Sequence, residues 1–306
     1  MTYDIIIIGG GPAGLTAALY ARRANKQVLV IEKATFGGQI TYSPKVENIP
    51  GFLELSGNEF AEKLVDQVLT QGADVESCEV LEIEDGSVKI VRTDSGDFTG
   101  RSIIIATGAK HRMLGLPGEE DYVGNGISFC AVCDGAFYRG KCVGVVGGGN
   151  SALQEALLLS ELAKEVYVIQ NLDFLTGEKK LQMQLRAKSN VHILLGTVVD
   201  GFLGDGELTG VRIKTEADGT CNDLWLDGLF VAIGLIPQNE PFAAVVELDE
   251  RGYAKVDESC CAGTPGVFVA GDCRTKRIRQ VATAAADGAI AALAACDYVD
   301  ALAQSK

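Results

Sequence analysis

The stretch Tyr3-Asp4-Ile5-Ile6-Ile7-Ile8-Gly9-Gly10-Gly11-Pro12-Ala13-Gly14 decides the fold. Its apolar run has strand length and suits a strand covered on both faces. The glycines end that strand, and the alanine-rich residues to about Ala24 are predicted as a helix. A second strand, Gln27–Glu32, follows. Strand, glycine turn, helix and strand make the βαβ unit that binds dinucleotides. Gly9, Gly11 and Gly14 allow a tight turn, close approach of a pyrophosphate, and close helix–strand packing. Pro12 and Ala13 open a helix whose free amides face the phosphates. Glu32 stands where a carboxylate accepts hydrogen bonds from a ribose.

The pattern repeats once. Cys142–Val146 feeds Gly147-Gly148-Gly149-Asn150-Ser151-Ala152, then a helical stretch Leu153–Leu162 and a strand Glu165–Gln170. This is the GxGxxA variant, but the second strand ends at Gln170-Asn171-Leu172. It offers no carboxylate for a 2′-hydroxyl and no arginine for a 2′-phosphate. A working nucleotide site and a structural relic both remain open. Near the end, the strand Val267–Ala270, the turn Gly271-Asp272 and a helix Val281–Ala295 read as a return to the first sheet. The expected fold is α/β: two Rossmann-like, three-layer dinucleotide-binding domains, the second inserted into the first. The segments are 1–113, 114–242 and 243–306, with Gly115, Pro117, Gly118, Gly234 and Pro237 as hinge chemistry.

Composition narrows the function. A net charge of −14 argues against nucleic acid, which needs a basic footprint. Apolar runs such as Ile5–Ile8 and Ile103–Ala106 are far short of a membrane span. Met-Thr-Tyr-Asp does not open a signal peptide, so the expected location is the cytoplasm, without a membrane partner. The nine cysteines are scattered and odd in number, unlike a secreted disulfide framework.

One cysteine pair stands out: Cys130-Ala131-Val132-Cys133, followed by Asp134. Two intervening residues suit a disulfide that opens and closes, since one thiol resolves mixed disulfides made by the other. Asp134 is placed to move a proton to or from the leaving thiolate. The rival is structural zinc, which needs four ligands; a second CxxC is absent and Cys260-Cys261 are adjacent. No metal is expected. His111 and His192, the chain's two histidines, read as surface or packing residues.

With these residues in place, the chain resembles the low-molecular-weight thioredoxin reductases over nearly its whole length. The matching segments are Gly9–Arg22, Gly37-Gly38-Gln39, Val46–Gly51, Ala106-Thr107-Gly108, Cys130–Lys141, Gly228–Pro237, Gly271-Asp272 and Arg279-Gln280-Val281. The resemblance implies a homodimer that reduces thioredoxin. It implies FAD held by the Gly9 loop, Glu32, Gly38, Gln39, Asn48, Ala106, Thr107, Gly108, Gly271, Asp272, Arg279, Gln280 and Val281. It also implies catalysis by Cys130, Cys133 and Asp134, with rotation between domains to expose the dithiol.

One departure bears on the electron donor. Family members that use NADPH carry His-Arg-Arg, three residues, then Arg at the end of the inserted domain's second strand. Here the stretch reads Gln170-Asn171-Leu172-Asp173-Phe174-Leu175-Thr176. A 2′-phosphate loses charge-assisted hydrogen bonds worth ~1.5–3 kcal/mol each, so NADPH is not the expected cofactor. Asn150 also replaces a common aspartate. The pattern is similar to a branch of flavin thioredoxin reductases that take electrons from reduced ferredoxin, and flavin passes electrons singly or in pairs. NADH, held by Gln170 or Asn171, is the second reading. A second flavin or an empty pocket in the inserted domain, and a flavin–dithiol redox sensor without turnover, stay open. A ferredoxin–NADP oxidoreductase of the same fold lacks the CxxC. An acidic ferredoxin needs a basic dock on this acidic chain, and Arg274, Lys276, Arg277 and Arg279, with Lys110 and Arg112, are the expected candidates.

Overall fold

The computed structural model describes residues 1–43 and 45–304. Pro44, and Ser305 and Lys306 of the expected third segment, lie outside the described residues. The chain opens with β1 (Thr2–Ile8), α1 (Pro12–Arg23), β2 (Val28–Glu32), α2 (Gly57–Thr70), β3 (Asp74–Ser77), β4 (Val80–Glu84), β5 (Lys89–Thr93) and β6 (Gly96–Ile105). It continues through β7 (Ala109–His111), α3 (Glu119–Tyr122), β8 (Ile127–Ser128), α4 (Ala131–Asp134), β9 (Cys142–Val146), α5 (Asn150–Ser160) and β10 (Glu165–Ile169). Next come α6 (Lys179–Arg186), β11 (Val191–Leu194), β12 (Thr197–Asp205), β13 (Glu207–Thr215), β14 (Cys221–Trp225) and β15 (Gly228–Val231). The chain ends with β16 (Leu235–Pro237), β17 (Val267–Val269) and α7 (Val281–Gln304). These elements fall into two compact units, Met1–Lys110 with Ile236–Lys306, and His111–Leu235.

In the first unit the sheet order is β3-β2-β1-β6-β5-β4, with β17 also on β6. β1 lies parallel between β2 and β6, so the glycine loop leaves the carboxyl edge where the strand order reverses. Ile5, Ile6 and Ile7 are fully buried and Ile8 nearly so. Each such side chain contributes about 1.5–3 kcal/mol relative to exposure. β4, β5 and β6 pair antiparallel, an appendage the sequence reading did not anticipate.

The last helix runs to Gln304, beyond the expected Ala295. Cys296 and Val299 keep its buried stripe going, and no Gly or Pro intervenes. A side chain at Gly288 would strike the carbonyl of Ala13, so α7 lies directly on α1 there. Among the described residues α7 is also the helix long and apolar enough to cross a membrane. Its buried stripe of Ala284, Ala291, Ala292 and Ala295 belongs to the core that α1 completes.

In the second unit β11, β10, β9, β15 and β8 form a wholly parallel sheet. β9 occupies the position of β1, and α5 begins at Asn150, directly on the glycine loop. The antiparallel sheet β12-β13-β14 adds a second layer through Val199, Leu208 and Val211.

Candidate active site: the dithiol and two glycine cradles

Parallel pairing of β8 with β15 sets the residues just before the dithiol. Cys130 then caps a single helical turn, its Sγ accepting from the Cys133 amide at 3.2 Å. Cys130 and Cys133 form a disulfide with their Cα atoms 5.3 Å apart. Both are half-buried, so the bond is held firmly yet remains within reach of solvent.

Ser128 ties the acid to this turn. Its hydroxyl donates to Asp134 Oδ2 at 2.6 Å and accepts from the Cys130 amide at 3.1 Å. Asp134 Oδ1 is buried without a hydrogen-bond partner among the described residues. Burial pushes this carboxyl above the ordinary range, against the opposing effect of Ser128. A carboxyl poised toward its neutral form beside a disulfide can hand a proton to a leaving thiolate.

Two neighbours escaped the sequence reading. Glu155, on the second turn of α5, is pushed by burial from 4.5 to about 7, while the Ala131 amide bonded to it acts the other way. Its Oε2 also has no partner among the described residues. Tyr138 is pushed up to about 12, first by burial and then by Asp134 and Asp227. The only sequence signal for Glu155 was a carboxylate three positions after Ala152, on a helix of ordinary composition.

No cluster of metal-ligating side chains occurs among the described residues. Cys142 is half-buried, and Cys221 and Cys261 are exposed. Burial pushes the thiols of Cys273 and Cys296 to about 11 and Cys260 to about 12, which keeps them protonated and inert. His192 pairs with Glu165 at 2.8 Å and stacks on Tyr167, while His111 stacks on Phe129. Burial lowers His111 to about 4, leaving it neutral.

In the first unit the cradle is built from glycine necessity. Gly9 has φ +112°, and a side chain there would meet the Ala106 carbonyl; one at Gly14 would meet the carbonyl of Gly9. Gly11 differs, since its nearest neighbours, Gly37 O and Gly38 Cα, lie 4.0 Å from an added Cβ. That space is what a phosphate needs. Glu32 accepts from the Gly10 amide at 2.7 Å and the Ala34 amide at 2.9 Å, fixing the loop against its strand.

Other expected FAD residues gather there. Gly37 donates to Gly10 O at 2.7 Å, setting the Gly38-Gln39 turn beside the loop. Gln39 donates to the Ala109 carbonyl. Asn48 donates to Gln280 Oε1 at 3.3 Å, and Thr107 to Asn239 Oδ1 at 3.3 Å. Ala106 donates to Ile8 O at 2.7 Å, with Gly108 two residues on. A Cβ at Gly271 would lie 2.9 Å from that of Ala13. Val281 packs beside Ile49 and Phe60. Asp272 Oδ1 is buried without a partner among the described residues, and burial raises its carboxyl. An open glycine cradle beside a stranded buried oxygen fits a dinucleotide whose hydroxyls and phosphates would complete both.

The expected basic dock is not one solvated patch. Arg274 is 2 % exposed and gives two hydrogen bonds to Asp287, each 2.8 Å. Lys276 joins the same carboxylate at 2.8 Å. Asp287 also accepts from the Gly271 amide at 3.0 Å, so α7 uses these cations to hold the Gly271-Asp272 turn. Arg279 lies over the Tyr253 ring at 4.3 Å and donates to the Asp272 carbonyl at 3.3 Å. Arg277 remains exposed in that run, as do Lys110 and Arg112.

The second unit's glycine loop is bordered by residues 170–177 of its own chain. Thr176 and Gly177 donate to the Gly148 carbonyl at 2.9 and 2.8 Å. Gln170 is 5 % exposed, lies against Gly148 and donates to the Phe174 carbonyl at 3.2 Å. Asn171, Leu172 and Thr176, at the positions of the missing arginines, are exposed and uncharged.

The family described as pyridine nucleotide-disulphide oxidoreductase matches residues 3–288. The thioredoxin reductase of Listeria innocua is 40% identical over 302 residues, 98% of this chain and 95% of that one. A "34.2 kDa protein in rubredoxin operon" of Clostridium pasteurianum is 39% identical, covering 97% of each chain. The solved thioredoxin reductase of Streptococcus pyogenes has 39% identity and a TM-score of 0.94, covering 98% of this chain and 99% of its own. The chain belongs to the pyridine nucleotide-disulphide oxidoreductase family, in its low-molecular-weight thioredoxin reductase branch. It is an FAD-fold oxidoreductase of thioredoxin-reductase type with a redox-active disulfide.

Proposed function

We propose that this enzyme reduces the disulfide of thioredoxin through Cys130 and Cys133, and that its electrons come from reduced ferredoxin in place of NADPH. The observation that carries the donor assignment is the absence of positive charge beside the second unit's glycine loop, at exposed Asn171, Leu172 and Thr176. The amides of residues 176 and 177 donate to the loop's Gly148 carbonyl, and those three positions are the ones that would grip a 2′-phosphate.

FAD would be held by Gly9, Gly11, Pro12, Ala13 and Gly14 at its pyrophosphate and by Glu32 at a ribose. Gly38, Gln39, Asn48, Ala106, Thr107, Gly108, Gly271, Asp272, Arg279, Gln280 and Val281 would complete the site. When bound, FAD supplies two electrons to a disulfide after accepting them singly or together. One sulfur of the Cys130–Cys133 pair then attacks thioredoxin's disulfide, and its partner resolves the mixed disulfide. Asp134 protonates the leaving thiolate, and Ser128 holds that carboxyl in place. The working form is a cytoplasmic homodimer.

NADH is the second reading, and it now rests on Asn171, because Gln170 is buried and committed to the Phe174 carbonyl. Steady-state thioredoxin reduction decides between the readings and also separates an enzyme from a sensor. Turnover is expected with a ferredoxin-reducing system. Turnover with NADPH or NADH at a comparable rate contradicts the donor assignment, and none with any donor favours a sensor.

A further inference from the structure

The helix packed against the dithiol's turn carries a second carboxyl that the exchange chemistry above does not use. Glu155 projects from α5, the helix that opens on the second glycine loop, and α5 packs against α4. Its carboxylate takes the amide of Ala131, the residue between Cys130 and Val132. Its other oxygen is buried without a partner among the described residues. A buried carboxylate with one free oxygen is destabilising unless it can take a proton. Asp134 leaves a second buried oxygen unpartnered on the same turn. Two under-satisfied acids therefore bear on the one turn that carries the disulfide.

The surroundings leave Glu155 free to respond to that disulfide. On α4 and its cap the titratable groups are Cys130, Cys133 and Asp134. Packed elements α6, β9 and β10 bring Lys179, Lys180, Arg186, Cys142, Glu165 and Tyr167. None of these alters the acidity of Glu155; burial and the Ala131 amide set it. It is therefore poised near 7, where a small change of nearby charge shifts its proton occupancy strongly.

We propose that Glu155 is the proton store of the Cys130–Cys133 couple, binding one proton when the disulfide is reduced and releasing it when the disulfide re-forms. Two electrons, from reduced flavin or an external dithiol, break the S–S bond. Two protons enter: the products are one thiolate, one thiol and a neutral Glu155 in place of its carboxylate. Net charge at the turn is thereby unchanged, although a thiolate has appeared. Glu155 acts on the sulfurs through the Ala131 amide and is a positioning residue. In its charged form it draws on that amide and disfavours a thiolate; once neutral it does not.

The inference rests on the redox role of Cys130 and Cys133 but not on the identity of the electron donor. The test equilibrates the FAD-loaded enzyme with dithiothreitol between pH 7 and 8 and counts Cys130/Cys133 thiols by alkylation and mass. Wild type is expected to take up one more proton per two electrons than Glu155→Gln. Their equilibrium constants against dithiothreitol should then diverge by up to tenfold per pH unit, about 30 mV for this two-electron couple. Glu155→Asp, which keeps a titratable group, should follow wild type; a purely structural role would move both variants' constants without changing their pH slopes. Parallel slopes for wild type and Glu155→Gln overturn the proposal. A Cys130–Cys133 pair that dithiothreitol cannot open defeats it together with the redox reading beneath it.

Discussion

Asn150 and Glu178 clasp each other across the second glycine loop. The Glu178 amide donates to Asn150 Oδ1 at 2.7 Å, and Asn150 Nδ2 donates to Glu178 Oε1 at 3.1 Å. This sets a carboxylate beside the first turn of α5, where the helix dipole and free amides of a dinucleotide fold normally receive phosphate. Like charge in that place adds to the loss of the arginines. Introducing Asn171→Arg, Leu172→Arg and Thr176→Arg together with Glu178→Gln should create NADPH affinity that wild type lacks. Titration calorimetry checks this; no gain means that the buried Gln170 and the Thr176 and Gly177 amides, not charge, close the cradle.

Replacing Cys133 with Ser should abolish thioredoxin reduction while leaving FAD bound, because the cysteines and the Gly9 cradle belong to different units. The check pairs a turnover assay with the visible spectrum of the purified variant. Retained turnover would remove the disulfide from the reaction.

Ser128→Ala frees Asp134 Oδ2 and leaves the Cys130 amide without its acceptor. The lost hydroxyl has been opposing burial, so Asp134 should stay protonated to higher pH. Positioned acids contribute roughly 10²–10⁴-fold to proton transfer, so a loss of about tenfold in kcat and a shift of the rate profile's alkaline limb to higher pH are expected. An unchanged profile would mean that Asp134 does not carry the proton.

Glu155 links the site to stability. Its folded-state value of about 7 lies above the ordinary 4.5, so the folded chain binds this proton more tightly than the unfolded chain. The contribution is fully present below about 4.5 and is lost as pH rises through 7, at a cost of about 3 kcal/mol. Glu155→Gln should flatten this dependence, raising the urea midpoint at pH 8 relative to wild type and changing it little at pH 4.5. Parallel pH curves for the two proteins would contradict the assignment.

Arg274→Ala takes two hydrogen bonds from the buried Asp287 and leaves it Lys276 and the Gly271 amide. Removing one partner of a buried pair costs about 3–5 kcal/mol. Because Asp287 also anchors Gly271, the variant should lose FAD before it unfolds, as flavin fluorescence during a urea titration would reveal. Simultaneous loss would show that the Gly271-Asp272 turn is not separately weakened.

Both glycine loops, their strands and the dithiol were legible because each depends on local spacing. Gly9 and Gly14 admit no side chain, and Cys130 and Cys133 lie one helical turn apart. Glu155 was not legible: its importance comes from burial and from an amide in another element, and Gln-Glu-Ala on a helix looks like any solvated face. The basic run after Asp272 misled for the opposite reason. Arginine and lysine in a loop read as exposed, yet Asp287 lies more than ten residues along, on a helix whose packing draws Arg274 inside. The extension of α7 past Ala295 was likewise decided by burial of Cys296 and Val299 against the core.

The most direct test of the account follows the flavin absorbance of the purified protein under strict anaerobiosis. NADPH, NADH and chemically reduced ferredoxin are added in separate experiments. Bleaching by reduced ferredoxin, with neither nicotinamide acting on the same timescale and with electrons then appearing as thioredoxin thiols, is the expected result. Rapid bleaching by NADPH would contradict the account, because it would require phosphate recognition from a loop that presents Asn171, Leu172 and Thr176.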